Sequence, residues 1–534
     1  MSRAISSQQN RSQPARRPMA TERRLSKTVP LFQMRHCLGW LLVLLGCACP
    51  ALGQVRPPTP SGTTSSGAAL GNAALGNANS PTDPSDTAPS VLLALQQSLI
   101  DAIAKAESSV VAVARSRRNE QPKLLDPDYV PTEFATGVVI DAQGLILTNA
   151  HVLGKPAESD YAVWVSGRPF YAKIKALDPW VDLAILQIEA NDLTPIAMGD
   201  GDDVKKGQFV ICLGNPYAIA RDGNVSATWG IVSNLARKAP GPRLVDRVTN
   251  AGETVHQFGT LIQTDAKLVH GTSGGAMLNL QGEMIGLTTS LAAVEGYDRS
   301  TGYAIPMNKP MKRVIEQLKQ GKQPEYGFLG VAPTNLELSQ VQNHKYGAKL
   351  DSVEAGTPAA KYGLRRDDVV THVDGTPVRS HLDLIRLVSL SPVGSEVEFQ
   401  LLRQNALLRR QEQLTKSVVL TKRYVAAHEQ GLWTEPIREW RGISVDYATA
   451  IPAFYQHVAE IDPEGCLVVA DVHQDSPGWT AGLRPGVFVT HVAGLRVVTP
   501  AAFHTAVENQ GDTPVTLRAT SPIKNSLEVT VAPQ

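Results

Sequence analysis

Apolar and polar positions along the 534-residue chain follow two different periods, and the changes between them mark out its elements. From Val91 the segment VLLALQQSLIDAIAKA carries apolar residues at helical spacing, and the β-branched run Val110 to Val113 follows it. This predicts a short helix leading into a strand. Further on, ATGVVIDAQGLILTNAHVL reads as two strands joined at the Asp141-Ala142-Gln143-Gly144 turn, with His151 closing the second. Short strands recur through YAVWV, AKIKALD, LAILQIE, QFVICLG and ATWGIVS, and no long helix intervenes before Asn308 to Lys319. Even spacing with turn residues between strands predicts antiparallel barrels or sandwiches.

The amino-terminal part follows neither period. Residues 1–36 hold eight Arg or Lys against the single acid Glu22, and the apolar run Cys37 to Cys49 comes next. This is the layout of an export leader, too short to span comfortably as a mature helix. Ala51-Leu52-Gly53 offers small residues for cleavage before Gln54, which sets a leader at 1–53. An uncleaved anchor is the competing reading, and Leu44-Leu45-Gly46-Cys47 also resembles a lipoprotein box that would lipidate Cys47. Arg23-Arg24 carries part of a twin-arginine signal. Residues 54–90, rich in Pro, Ser, Thr, Gly, Ala and Asn, bury too little apolar surface to offset ordering entropy and are expected to form a flexible tether.

Composition excludes some functions. Lys plus Arg number 51 against 50 acids, a net charge of +1, and no basic stripe interleaved with aromatics occurs, so a nucleic-acid partner is not expected. Cys37, Cys47 and Cys49 lie in the leader, while Cys212 and Cys466 sit in separate apolar runs. They read as two buried thiols, not a disulfide framework. No Cys/His cluster has metal-ligand spacing, so neither metal nor cofactor is expected.

Chemistry concentrates in LIQTDAKLVHGTSGGAMLNLQGEMIGLTTS, Leu261 to Ser290. Ser273 stands between Gly271 and Gly274-Gly275, where glycines permit a tight turn with inward N–H groups. Alone, this is equally a Gly/Ser turn between strands. A serine nucleophile needs a base, and an imidazole base needs a carboxylate to fix its tautomer. His151 and Asp182, which opens the apolar run DLAIL, precede Ser273 in the chain order of chymotrypsin-type enzymes.

Here the resemblance becomes specific. LTNAHV, DLAIL, LGNPY, IQTDA, GTSGG and GYAIP, in this order, resemble the HtrA/DegP family of trypsin-like serine proteases. The resemblance implies His151 as general base, Asp182 as its orienting partner, Ser273 as nucleophile, and the N–H groups of Gly271 and Ser273 as oxyanion hole. Thr272 stands where the family usually has Asn, and Val269-His270 also depart from its pattern. His270 either adds pH dependence or is merely solvated. Lys267, Leu268 and Ile285 are the candidate substrate-pocket residues, with cleavage after small aliphatic residues expected and acceptance of an acidic residue as the second reading. The polar segment from Ala236 to Thr260 reads as a surface loop near the site.

Compared with itself at an offset of 119 residues, the last third of the chain repeats: Pro358 with Pro477, Gly363-Leu364 with Gly482-Leu483, Thr371-His372-Val373 with Thr490-His491-Val492, and Gly375 with Gly494. Ser380 and Thr499 pair as helix N-caps. TPAAKYGLRRDDVVTHVDG resembles a PDZ domain, and Gly327-Phe328-Leu329-Gly330 looks like its carboxylate-binding loop. Such domains add an extended peptide to a sheet edge. The second copy's loop reads Arg441-Gly442-Ile443-Ser444, and Val487 replaces Asp368.

The expectation is a mostly β protein, a chymotrypsin-like double β-barrel protease domain at 91–322 followed by two PDZ-like α+β domains at 323–423 and 424–534, the last including a linker. Its expected activity is exported, ATP-independent endoproteolysis of unfolded or damaged proteins, with capture of carboxyl-terminal peptides. The family also implies a homo-oligomer, commonly a trimer. Competing readings are a latent chaperone or peptide-sensing scaffold, and a protease dedicated to one partner.

Overall fold

The computed structural model describes residues 84–533 apart from 119–124, 126–130, 132, 216–223, 240–252, 291–300, 344, 406–409, 456–460, 463 and 522–523. The leader, Cys47, most of the expected tether and the centre of the Ala236 to Thr260 loop lie outside the described residues.

The first helix, α1, runs Pro84–Ala106 and so begins inside the stretch read as tether. Its last turns carry the apolar face: Ala102 and Ala106 are buried, and Lys105 Nζ reaches Gln281 O at 2.8 Å. A Cβ on Gly282, at φ +71, would lie 3.0 Å from the Ala102 carbonyl, so glycine lets helix and turn meet.

Six strands follow: β1 Val110–Arg117, β2 Glu133–Asp141, β3 Leu145–Thr148, β4 Ser159–Val165, β5 Arg168–Asp178 and β6 Leu183–Ile188. They pair in the order β5-β4-β1-β2-β3-β6, and β5 also pairs with β6, which closes a barrel. Strand β3 stops at Thr148; His151 opens a 3-10 turn, His151–Leu153, where the sequence had suggested a strand end. A second closed barrel has the order β10-β11-β12-β9-β8-β7. Its strands are β7 Phe209–Gly214, β8 Ser226–Arg237, β9 Leu261–Thr264, β10 Ala276–Leu278, β11 Met284–Thr289 and β12 Gly302–Pro306. Closure leaves no unpaired edge, and the inward residues form continuous apolar cores. Helix α2, Lys309–Lys319, is capped by Asn308 as its sequence signal requires.

Two sheets of matching topology come next. The first pairs β14 Val331–Asn335, β15 Ala348–Val353, β16 Val369–Val373, β18 Glu396–Asn405 and β19 Arg410–Val419, with β17 Thr376–Pro377 on β16. The second pairs β22 Ile443–Tyr447, β23 Leu467–Val472, β24 Phe488–Val492, β26 Val515–Ser521 and β27 Lys524–Val531, with β25 Leu495–Arg496 on β24. Helices α3, His381–Leu390, and α4, Pro500–Glu508, cover them, and the Ser380 and Thr499 side chains cap both. The 119-residue offset holds from β15 onward but not for the first strands. Val331 opposes Val353 as Ile443 opposes Val472, an offset of 112, so the second copy carries seven extra residues between its first two strands.

One short strand pair stands apart from the sheets, and one further strand ties this region to the first barrel. β13, Gly327–Phe328, pairs with β20, Thr421–Lys422. β21, Leu432–Trp433, returns to the first barrel and pairs with Leu177 and Ala176 of β5. Around this return, buried Asp178 accepts from Tyr326 Oη at 2.5 Å and from Trp180 N at 2.8 Å, with His428 Nε2 at 3.3 Å. Trp180 and Tyr326 meet edge to face at 4.2 Å.

Candidate active site

His151 and Asp182 are brought together by the two chain reversals that flank the β3–β6 pair. Asp182 sits at φ +53, a left-handed conformation that aspartate tolerates better than most residues, and this turns its carboxylate back toward the His151 turn. Its backbone carbonyl accepts from Ala150 N and Asn149 Nδ2, both at 3.2 Å, locking the reversals to each other. The carboxylate then accepts from His151 N at 2.9 Å and Thr289 Oγ1 at 3.2 Å, and His151 Nδ1 lies 2.9 Å from both of its oxygens. An ionised carboxylate only accepts, so Nδ1 carries the proton and Nε2 presents the lone pair. Burial pushes the His151 pKa down, and the charge and hydrogen bond of Asp182 outweigh it, leaving it raised above 6.5.

Ser273 lies on the β9–β10 loop, which is pinned across the interface between barrels. Thr136 of β2 donates its hydroxyl to Gly271 O at 2.7 Å and its N–H to Ser273 O at 2.9 Å. Thr148 Oγ1 in turn donates to Thr136 O at 2.7 Å. The glycines are required: at Gly271, φ +96, a Cβ would lie 2.4 Å from Asn215 O, and at Gly274, φ +84, 2.1 Å from Thr136 O. Thr272 holds its own turn closed, with N at 3.1 Å and Oγ1 at 2.7 Å from Val269 O. Among the described residues, no partner takes the N–H of Gly271 or Ser273.

The Ser273 hydroxyl does not bond His151 directly. It donates to Ser290 Oγ at 3.0 Å, and Ser290 Oγ lies 3.2 Å from His151 Nε2. Sequence reasoning missed Ser290 and Thr289; the run Thr288-Thr289-Ser290 was visible, but only the folded β11–β12 pair, with its hydrogen bonds, shows which hydroxyl faces which neighbour. His256 was missed as well. It is fully buried, reaches Val181 O at 2.9 Å and Thr260 Oγ1 at 2.5 Å, and burial holds its pKa below 6.5.

The proposed pocket residues separate. Lys267 is exposed, Leu268 is half-buried against Gly302, and Ile285 lies at 1% exposure in the second barrel's core. Ile285 therefore supports the wall from within and presents no surface to a cleft. His270 is exposed and packs edge to face on Phe134 at 4.8 Å. Beside His151 a cavity of about 660 Å³ is lined by Lys155, Glu158, Asp182, Glu253 and, from the returning segment, Ala427 and Gln430.

In the first repeat Gly327, Phe328, Leu329 and Gly330 line a small cleft between β14 and α3, with Leu384, Val388 and Arg423 opposite. Gly330 has φ +84, and a Cβ there would lie 2.2 Å from Thr357. In the second repeat the matching loop is Glu439 to Gly442, two residues earlier than the sequence alignment placed it. Ala359 N bonds Leu329 O as Gly478 N bonds Arg441 O, which makes Gly442, at φ +75, the counterpart of Gly330. That loop is also closed: Trp440 and Ile443 exchange N–H···O bonds at 2.9 Å each way. The Arg441 guanidinium is buried on Val531 O and Thr513 O, each at 2.8 Å.

Residues 135–287 match the trypsin-like peptidase domain family and residues 327–411 the PDZ domain family. A probable periplasmic serine endoprotease, DegP-like, of Chlamydia trachomatis is 31% identical over 379 residues, covering 70% of this chain and 69% of its own. The periplasmic serine endoprotease DegP of Escherichia coli is 34% identical over 276 residues, covering 51% of this chain and 54% of its own. A solved structure titled HtrA-type protease AlgW with decapeptide is 25% identical, with a TM-score of 0.44 over 60% of this chain and 98% of that one. With two closed barrels, a peptidase match over the His151-to-Ser273 span and a DegP-like relative along most of its length, the chain belongs to the HtrA/DegP family of trypsin-like serine endoproteases.

Proposed function

We propose that His151, Asp182 and Ser273 form the catalytic set of this endopeptidase. The observation that carries the assignment is the pairing of His151 Nδ1 with both Asp182 oxygens, which turns Nε2 toward the Ser273 side of the cleft. His151 takes the Ser273 proton as Oγ attacks the scissile carbonyl, and Asp182 stabilises the imidazolium. The N–H groups of Gly271 and Ser273 receive the oxyanion. His151 then returns the proton to the leaving amine, and water repeats the sequence to release the acyl group.

The substrates we propose are unfolded or damaged proteins, cut after small aliphatic residues, a reading supported by the apolar Leu268, which lies on the Ser273 loop and packs against Gly302. The first repeat, proposed as a PDZ domain at 323–423, captures carboxyl-terminal peptides along β14. The second, at 424–534, keeps that topology, but its closed Trp440–Ile443 loop argues for a structural role over carboxylate capture. Exposed Val91, Leu92 and Leu93 on α1 support assembly into a homo-oligomer. The chain is an exported enzyme, as its periplasmic relatives are, with acylation of Cys47 as its proposed anchor. No helix among the described residues is long and apolar enough to cross a membrane.

The test is cleavage of a reduced, unfolded protein by wild type and by Ser273→Ala. The variant should lose about 10⁶ in kcat if the three residues act as a unit. Equal cleavage by both proteins would remove the assignment.

A further inference from the structure

We propose that Ser290 is a hydroxyl latch that holds the nucleophile off its base and sets the resting activity of the enzyme. The inference rests on reading Ser273 as the nucleophile, and it follows from how few hydrogen-bonding positions the three groups have. His151 spends its only ring N–H on Asp182, so Nε2 offers one lone pair. Ser290 Oγ, 3.2 Å away, donates its single proton to that lone pair. Its oxygen is then left to accept, and the Ser273 hydroxyl donates into it at 3.0 Å.

The consequence is chemical. In this arrangement the Ser273 proton points at a neutral hydroxyl, which is far too weak a base to take it, while the imidazole lone pair is occupied. General-base assistance is worth about 10²–10⁴ in rate, and the latched arrangement forgoes it. Passing the proton through Ser290 would require two protons to move together, one from Ser273 to Ser290 and one from Ser290 to His151. It would also leave Ser290 standing where His151 must later hand a proton to the leaving amine.

Release is mechanically simple. Ser290 is the first residue past the end of β11, it is exposed, and among the described residues its hydroxyl is held by the two groups it separates. One rotation of its side chain frees Nε2. Thr289, its neighbour within the strand, is different: it is buried and bonded to Asp182, so it orients the carboxylate and has no such freedom.

The experiment measures phosphonylation of Ser273 by a fluorophosphonate probe, in which Oγ attacks phosphorus and fluoride leaves without any need for peptide binding, together with kcat and KM on a peptide ester. Ser290→Ala should raise the labelling rate and kcat by about two- to tenfold, the worth of one neutral hydrogen bond, with KM unchanged. Ser290→Thr, which keeps a hydroxyl, should fall back toward the wild-type rate. An unchanged rate in Ser290→Ala overturns the latch, and so does a rate in Ser290→Thr equal to that of Ser290→Ala. A loss of about 10²-fold or more in Ser290→Ala overturns it in favour of a two-hydroxyl relay. Ser273→Ala separates the two levels of the argument: labelling that persists in that variant removes the nucleophile assignment itself, whatever Ser290 does.

Discussion

At the residue scale, the charge state of His151 decides when the enzyme works. Its pKa is raised above 6.5 because Asp182 outweighs burial, and the base must be neutral. Activity therefore falls as pH drops, with its midpoint above 6.5; a kcat/KM profile with an acid limb below pH 6 would contradict the Asp182 pairing. The stability sign runs the other way. A raised folded pKa stabilises the fold fully below the unfolded value and ceases to do so as pH rises through the folded one. His256 has a lowered pKa, so it destabilises the fold as pH falls below 6.5. Glycine geometry gives a second expectation. Gly274→Ala would drive a Cβ to 2.1 Å from the Thr136 carbonyl at φ +84, so the β9–β10 loop must move. Labelling of Ser273 by a fluorophosphonate should fall at least about 10²-fold, in line with a misplaced nucleophile.

At the element scale, the two repeats show how one topology tolerates different interiors. In the first, buried Asp368 is held by Arg403, with Nε and Nη2 each 2.7 Å from a carboxylate oxygen. In the second, Val487 takes the place of that acid, so no carboxylate has to be held at that position. Arg403→Ala strands the carboxylate and should destabilise the first repeat by about 3 kcal/mol, the low end for a broken buried pair because the guanidinium reaches solvent. Thermal unfolding followed by hydrogen exchange should show loss confined to residues of the first sheet; equal loss in the second would contradict the independence of their cores. The repeat itself was legible in sequence, since helix caps and turn glycines recur at fixed spacing. The loop register was not, because the seven-residue insertion precedes the landmarks that align and shifts only β22.

At the scale of the whole molecule, the segment after the first repeat is a strap. It leaves β20, packs Val425 and Ala427 into the barrel core, and adds β21 to β5 only a few residues before Asp182. Tyr326 enters the same cluster from the other side, its hydroxyl on buried Asp178. Tyr326→Phe removes that donor and should cost about 1–3 kcal/mol, as for a buried acceptor losing a partner. Limited proteolysis should then cut within 423–433 sooner than in wild type; unchanged protection there would mean that the Asp178 cluster does not hold the strap. Apolar periodicity, turn glycines, the order His151, Asp182, Ser273 and the 119-residue repeat were all readable because each is local, or is a match between segments of one chain. They determined the barrels, the pair of repeats and the catalytic candidates. Only the tertiary structure decided that Ser290 stands between nucleophile and base, that Ile285 faces a core, and that the Leu432–Trp433 strap closes on the first barrel. Each of these depends on which side chains from distant segments point at one another, and that direction is set by strand register and barrel closure, not by any single stretch of residues.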